Sequence, residues 1–358
     1  MLTPKFQALI DQDIWAEIDR ELTNRRVVKA HNLMTVTGDA GVKIAAAIDK
    51  LKQAEPANPT GLVDATGFAN PQNLTGFTIP PGVTVLLAPV FYTMPTASPS
   101  IIVQQGARLY GMGANSPGST QIRAYTNFNK PMIICQPTLG AWWHNGAVAF
   151  LRLDGNKANN TSGHGISVPV GIGETSLISQ CNISNCTQAG LYIAGSQSGT
   201  GTVQNVTSNG NGVAGIWLDD FKSGISMWGV GGDQNPTTLK ITNPNNGGGS
   251  IYITDFKSEK NIPGPAVEIS GGNSPIVLTI AGGNCLQSGA ADTTLIRVLN
   301  SGGLQKSPII SIDGLVTSLN YSTVIEDLVA GKRIVSSPVT YHGRLNYNHP
   351  TYTEESLI

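Results

Sequence analysis

Gly215-Ile-Trp-Leu-Asp-Asp-Phe-Lys-Ser-Gly224 is nearly repeated as Ser250-Ile-Tyr-Ile-Thr-Asp-Phe-Lys-Ser-Glu259. Both runs alternate apolar and polar residues, the period of a strand with one buried face. The same kind of strand stands upstream as His164-Gly-Ile-Ser-Val168 and Ala189-Gly-Leu-Tyr-Ile193. Gly165, Gly190 and Gly215 are evenly spaced, and the next copy, at Ser250, starts after a longer interval. A period of this size means one supersecondary unit stacked on copies of itself. Gly and Asn at the corners predict an all-β solenoid, not a helical repeat. One turn is read across 215–250, with strands at Ile216-Trp-Leu, Ile225-Ser-Met-Trp and Thr238-Leu-Lys-Ile-Thr. Ile166, Leu191, Ile216 and Ile251 are then expected to stack inward, continued by Val267 and Ile296.

Composition agrees with that reading. Charged residues are 13% of the 358, against a usual figure of about 25%. Gly reaches 42 residues, and Asn, Ser, Thr and Gln supply the polarity that tight corners use. The net charge of −1 argues against a nucleic-acid partner, which calls for a basic face. The four cysteines, Cys135, Cys181, Cys186 and Cys285, lack metal spacing and read as buried thiols. No membrane span is visible. Lys5, Asp11, Asp13, Glu17, Asp19, Arg20 and Glu21 leave no apolar signal-peptide core at the start of the sequence. The expected location is a virion or the extracellular space.

Along the chain, Phe6, Ile10, Ile14, Ile18 and Leu22 recur at helical spacing, so 5–23 reads as an amphipathic helix within an N-terminal segment 1–32. It packs on the solenoid or bundles with its copies in other subunits. A second helix is predicted over 42–52, capped by Thr37 or Asp39 and lined by Ile44, Ile48 and Leu51. The solenoid is assigned to 33–320. A closing segment follows over 321–358, with a short helix at 322–329 and a polar, aromatic tail from Tyr341 to Tyr352.

The run from Thr35-Val-Thr-Gly-Asp-Ala-Gly through Ile79-Pro-Pro-Gly-Val-Thr-Val-Leu-Leu to Gly106-Ala-Arg-Leu-Tyr-Gly-Met-Gly113, with Leu151-Arg-Leu-Asp-Gly-Asn156 later, resembles pectate-lyase-like proteins. The resemblance covers roughly residues 33 to 320. It implies a right-handed parallel β-helix whose open end is plugged by a short helix. That superfamily holds lyases, glycoside hydrolases, phage tailspikes and non-catalytic proteins, so fold alone leaves activity open. Gly163-His164-Gly165 is similar to a polygalacturonase triplet. Here, however, Asp219-Asp220 follows it instead of preceding it, so that mechanism is not carried over and His164 reads as a corner residue.

Alternation places Ser167, Tyr192, Trp217 and Tyr252 in one outward column. Three aromatics in register suit either the C–H faces of sugars or a subunit interface. Asp219, Asp220 and Asp255 are the candidate catalytic acids, with Asp255 expected one coil from Asp220, near the separation of a retaining glycosidase pair. Strand ends also favour Asp for ordinary reasons, and Lys222 and Lys257 repeat beside the acids, as substrate-binding groups or as neutralising partners. A lyase would use the three acids to hold Ca²⁺; otherwise no cofactor is expected. Trp142-Trp143-His144 is a second exposed-aromatic candidate. The expected partner is a polysaccharide, bound by a tailspike-like homotrimer of the kind that often also cleaves it. The alternatives are a monomeric bacterial lyase or hydrolase and a non-catalytic structural or adhesive β-helix.

Overall fold

A computed structural model describes residues 27–328, apart from short stretches between strands, together with strands 332–335, 344–347 and 352–353. Segment 5–23 and Lys222 lie outside the described residues. The chain is an all-β parallel solenoid of about seven turns. It winds right-handed, the hand that parallel crossovers adopt almost without exception. The described strands form a twenty-stranded sheet and an eleven-stranded sheet. Between them runs a continuous apolar interior that includes Val85, Leu109, Val148, Ile178 and Val203. Burying each such side chain contributes about 1.5–3 kcal/mol before entropy is counted.

Pairing begins with Val27–Lys29, which lies parallel to Gly61–Ala65. The helix Ala40–Ala54 follows and buries Ile44, Ala47, Ile48 and Leu51 against the first coils. Asp39 caps it. Its Oδ1 accepts the Val42 N–H at 3.1 Å, while its Oδ2 accepts both the N–H and the hydroxyl of Thr75. One carboxylate thus satisfies a helix-end donor and ties the helix to the solenoid.

The inward column of the eleven-stranded sheet runs Ile166, Leu191, Ile216, Leu239, Val267, Ile296 and Ile325. Read from those numbers, the first two coils are equal in length, the third is slightly shorter, and the last three are longer. The turn expected across 215–250 is corrected by this register. Leu239–Thr242 is already the next coil's copy of Ala214–Asp219. Ser250–Lys260 belongs to the other sheet, where Ile251 pairs with Ile225 and Leu278.

The glycine series has a steric cause at the start of these strands. A Cβ on Gly190 would lie 1.9 Å from the Ser208 hydroxyl, and one on Gly215 would lie 2.8 Å from the Thr238 carbonyl. Thr238 and Ala266 fill the equivalent place in the next two coils, so the glycine signal ends at Gly215 while the winding continues. One corner carries a left-handed residue in every coil: Phe150, Gln180, Asn205, Gly229, Asp255, Gly282 (followed by a second, Gly283) and Gly314. Each of the first four donates its N–H to the next coil. Asn211 and Asn235, both fully buried, bridge coils at another corner through their side-chain amides. All four cysteines are buried free thiols inside the coils.

At the far end the expected short helix is instead the strand Thr323–Asp327, paired antiparallel with Lys332–Val335. Arg344–Tyr347 pairs antiparallel with Ile309–Thr317. The last parallel strand of each sheet is thereby covered, which blocks edge-to-edge growth there.

Candidate functional site

The outward column over this part of the eleven-stranded sheet is Ser167, Tyr192, Trp217, Lys240, Glu268, Arg297 and Glu326. Tyr192 and Trp217 stand in register as expected. Tyr252 does not join them. It lies half-exposed on the other sheet between Ser226 and Thr279, because Ile251 belongs to that sheet's column. Asp255 is corrected for the same reason. It is the left-handed corner residue stacked between Gly229 and Gly282, and it is not one coil beyond Asp220. Asp219, Asp220 and Asp255 therefore do not converge on one point. Lys257, likewise on the other sheet, pairs with Glu259 at 3.0 Å.

Tyr192 and Trp217 are built into a small cluster. Their rings meet edge to face, with centroids 5.2 Å apart. His164, one coil back, stacks on Tyr192 at 4.4 Å and 18° and meets Trp217 edgewise at 6.3 Å. Lys240 sits 5.8 Å over the Trp217 ring and is held at 2.8 Å by Glu268. The polar edge is equally fixed. The Tyr192 hydroxyl donates to Asp219 Oδ2 at 2.8 Å, the Thr242 hydroxyl donates to Asp219 Oδ1, and the Trp217 indole N–H donates to Thr242 at 2.9 Å. Both oxygens of Asp219 are thus engaged, which makes it an orienting group.

Protonation follows from this packing. Burial lowers His164 to about 4, so its ring is neutral near pH 7. Its Nδ1 accepts the Ala189 N–H at 3.2 Å, which leaves the proton on Nε2. Burial first, and then the hydrogen bond to Asp219, push the Tyr192 phenol above its usual range, so it stays protonated. Reading His164 as a corner residue misses this stacking, and its neighbours Lys240, Thr242 and Glu268 carry no motif that would point to them.

No group of three or more His, Cys, Asp or Glu side chains suited to a metal ion occurs among the described residues. No helix of the described residues is long and apolar enough to cross a membrane. The Trp142-Trp143-His144 run divides. Trp143 is fully buried, with its indole N–H on the Gln104 carbonyl, whereas Trp142 and His144 border a surface cavity.

No family model matches the chain, and no curated protein matches it. Among solved structures it is similar to the A-module of a mannuronan C-5 epimerase of Azotobacter vinelandii, at 16% identity over 82% of this chain and 89% of that one, TM-score 0.47. It is also similar to a tailspike of an Acinetobacter phage, at 12% over 92% and 67%, TM-score 0.41. A third is a surface adhesin of Streptococcus pneumoniae, at 10% over 91% and 99%, TM-score 0.33. At these identities the three likenesses concern the fold alone.

Proposed function

We propose that the protein binds a polysaccharide on the face of the eleven-stranded sheet, as a tailspike-like or surface β-helix protein. The observation that carries this reading is the pair Tyr192 and Trp217, partly exposed on adjacent coils and locked against a preset edge of Asp219 and Thr242. Fixed rings and fixed hydrogen-bonding groups leave little to order on binding, which is where affinity for a flexible sugar chain is otherwise lost. The Lys240–Glu268 and Arg297–Glu326 pairs neutralise one another along the same column, so recognition rests on shape and hydroxyl contacts more than on net charge. A homotrimer carried on a virion or cell surface is the assembly that goes with this reading, and solution mass tests it. A glycan array on the full chain tests the binding. A polysaccharide hit lost in Trp217→Ala but kept in Tyr252→Ala supports the face; equal loss or no loss in the two removes it.

A second reading is cleavage of the bound chain. The observation favouring it is a neutral imidazole stacked on a protonated phenol whose hydroxyl is tied to a carboxylate. His164 has its Nδ1 taken by the Ala189 N–H and its proton on Nε2, so it positions the Tyr192 ring, and the phenol and the Asp219 carboxylate are the pair left for proton transfer. Array hits incubated with the protein, with and without calcium, separate the outcomes. New ultraviolet absorbance from a double bond marks elimination, new reducing ends without it mark hydrolysis, and neither marks a binding protein.

A further inference from the structure

The hollow beside Trp142 has a volume of about 350 Å³ and is bordered by Trp142, His144, Asn145, Glu174 and Thr175. It lies on the two loops that leave the strands Ile133–Gln136 and Ile166–Val168. Trp143 anchors the first loop. It is fully buried, its N–H donates to the Gly171 carbonyl at 3.0 Å, and it bridges to Ile172. Gly173 lets its neighbours lie flat across the next coil: a Cβ there would come within 2.4 Å of the Trp142 ring and 2.8 Å of the His144 Cβ.

The polar groups around the hollow are set in place. The Asn145 amide donates to His144 Nδ1 at 2.9 Å, which puts the imidazole proton on Nε2. The Thr175 hydroxyl donates to Asn145 Oδ1. Asn145 and Thr175 both hold left-handed backbone, at φ 55° and 57°, and a β-branched residue rarely does so. Among the described residues no cation pairs with Glu174.

We propose that this hollow is a binding subsite for one neutral pyranose unit. An indole for the C–H face, a carboxylate to accept hydroxyl protons and an imidazole N–H to donate are the complement such a ring requires, in a space at the lower end of small-ligand pockets. The Glu174 carboxylate, with no cation paired to it among the described residues, disfavours a uronate. The inference deepens the polysaccharide reading, since the hollow and the Tyr192–Trp217 cluster lie on one run of stacked coils. Gly195 donates its N–H to the Asp219 carbonyl at 3.1 Å, Gly195 abuts Val170 and Gly171, and Gly171 accepts from Trp143. Trp142 and Trp217 lie three coil steps apart and Glu174 and Tyr192 one, at about 4.8 Å a step, a span that a chain of several sugars bridges.

The test uses the full chain and methyl glucoside, methyl galactoside, methyl mannoside and glucuronate, titrated by ligand-observed NMR. In the expected result at least one neutral glycoside binds in the millimolar range. It then weakens at least tenfold in both Trp142→Ala and Glu174→Gln, is unchanged in Tyr252→Ala, and glucuronate does not bind. Circular dichroism confirms that each variant is folded, and Glu174→Gln decides alone should Trp142→Ala not fold. No binding of any neutral glycoside, unchanged binding in Glu174→Gln, or preferred binding of glucuronate overturns the proposal. Because the probes are single sugars, loss of array binding in Trp217→Ala tests the polysaccharide face separately, and either result can fail without the other.

Discussion

The phenol of Tyr192 donates a 2.8 Å hydrogen bond to Oδ2 of Asp219, across the boundary between two coils. A hydrogen bond to a charged group contributes about 1.5–3 kcal/mol when shielded, and less at a partly exposed edge. Tyr192→Phe is expected to cost about 1 kcal/mol of stability. Asp219→Ala is expected to cost more, since it strands the hydroxyls of both Tyr192 and Thr242. Chemical denaturation of the two variants gives the order; a larger loss in Tyr192→Phe contradicts it.

Trp217→Ala is expected to weaken polysaccharide binding by about tenfold or more, which is about 1.4 kcal/mol. Tyr252→Ala is expected to change it little, because Tyr252 stands on the other sheet. Titration of the same glycan into both variants measures the contrast.

His164 makes the fold sensitive to acid. Its native value is lowered to about 4 from an ordinary 6.5, so below pH 6.5 the unfolded chain takes up a proton that the native chain refuses. Stability therefore falls as pH drops from 6.5 towards 4, by about 3 kcal/mol at most from this residue, and His164 contributes nothing above pH 7. Thermal melts of the wild type and His164→Gln between pH 4 and 7.5 should show a flatter profile for the variant. Parallel profiles contradict the assignment.

Gly190→Ala places a methyl group 1.9 Å from the Ser208 hydroxyl, and overpacking of this kind costs about 1–3 kcal/mol. At Gly224 a Cβ meets nothing within 4 Å, so Gly224→Ala should be neutral or slightly stabilising. Melting temperatures that shift equally would refute the steric argument.

Asp255→Gly should be neutral or stabilising, since Gly229 and Gly282 hold the same left-handed corner in the adjoining coils. Asp255→Val should destabilise through its branched Cβ. Reducing-end assays on Asp255→Asn should match the wild type.

The solenoid is legible in the chain because strand alternation and corner residues repeat with each coil. The column Ile166, Leu191, Ile216 reads correctly, and so does the pairing of Tyr192 with Trp217. The near-copies at 215–224 and 250–259 mislead. The alternation that makes a good strand is the same in either sheet, so likeness of sequence does not report position around the coil. The true successor, Leu239-Lys-Ile-Thr242, resembles its neighbours only in its apolar places. The part played by His164 is illegible for another reason. Its contacts are made by stacking across a coil boundary, which leaves no spacing in the chain to read.

Seven successive coils, from Phe150 to Gly314, turn one corner with a left-handed residue, doubled once at Gly282 and Gly283, although the coils themselves differ in length over most of that span. That corner acts as a spine. A loop lengthened or trimmed on the opposite margin need not rotate anything beyond it. Loops can accordingly be exchanged one at a time, by natural drift or by grafting, with the rest of the molecule left in phase.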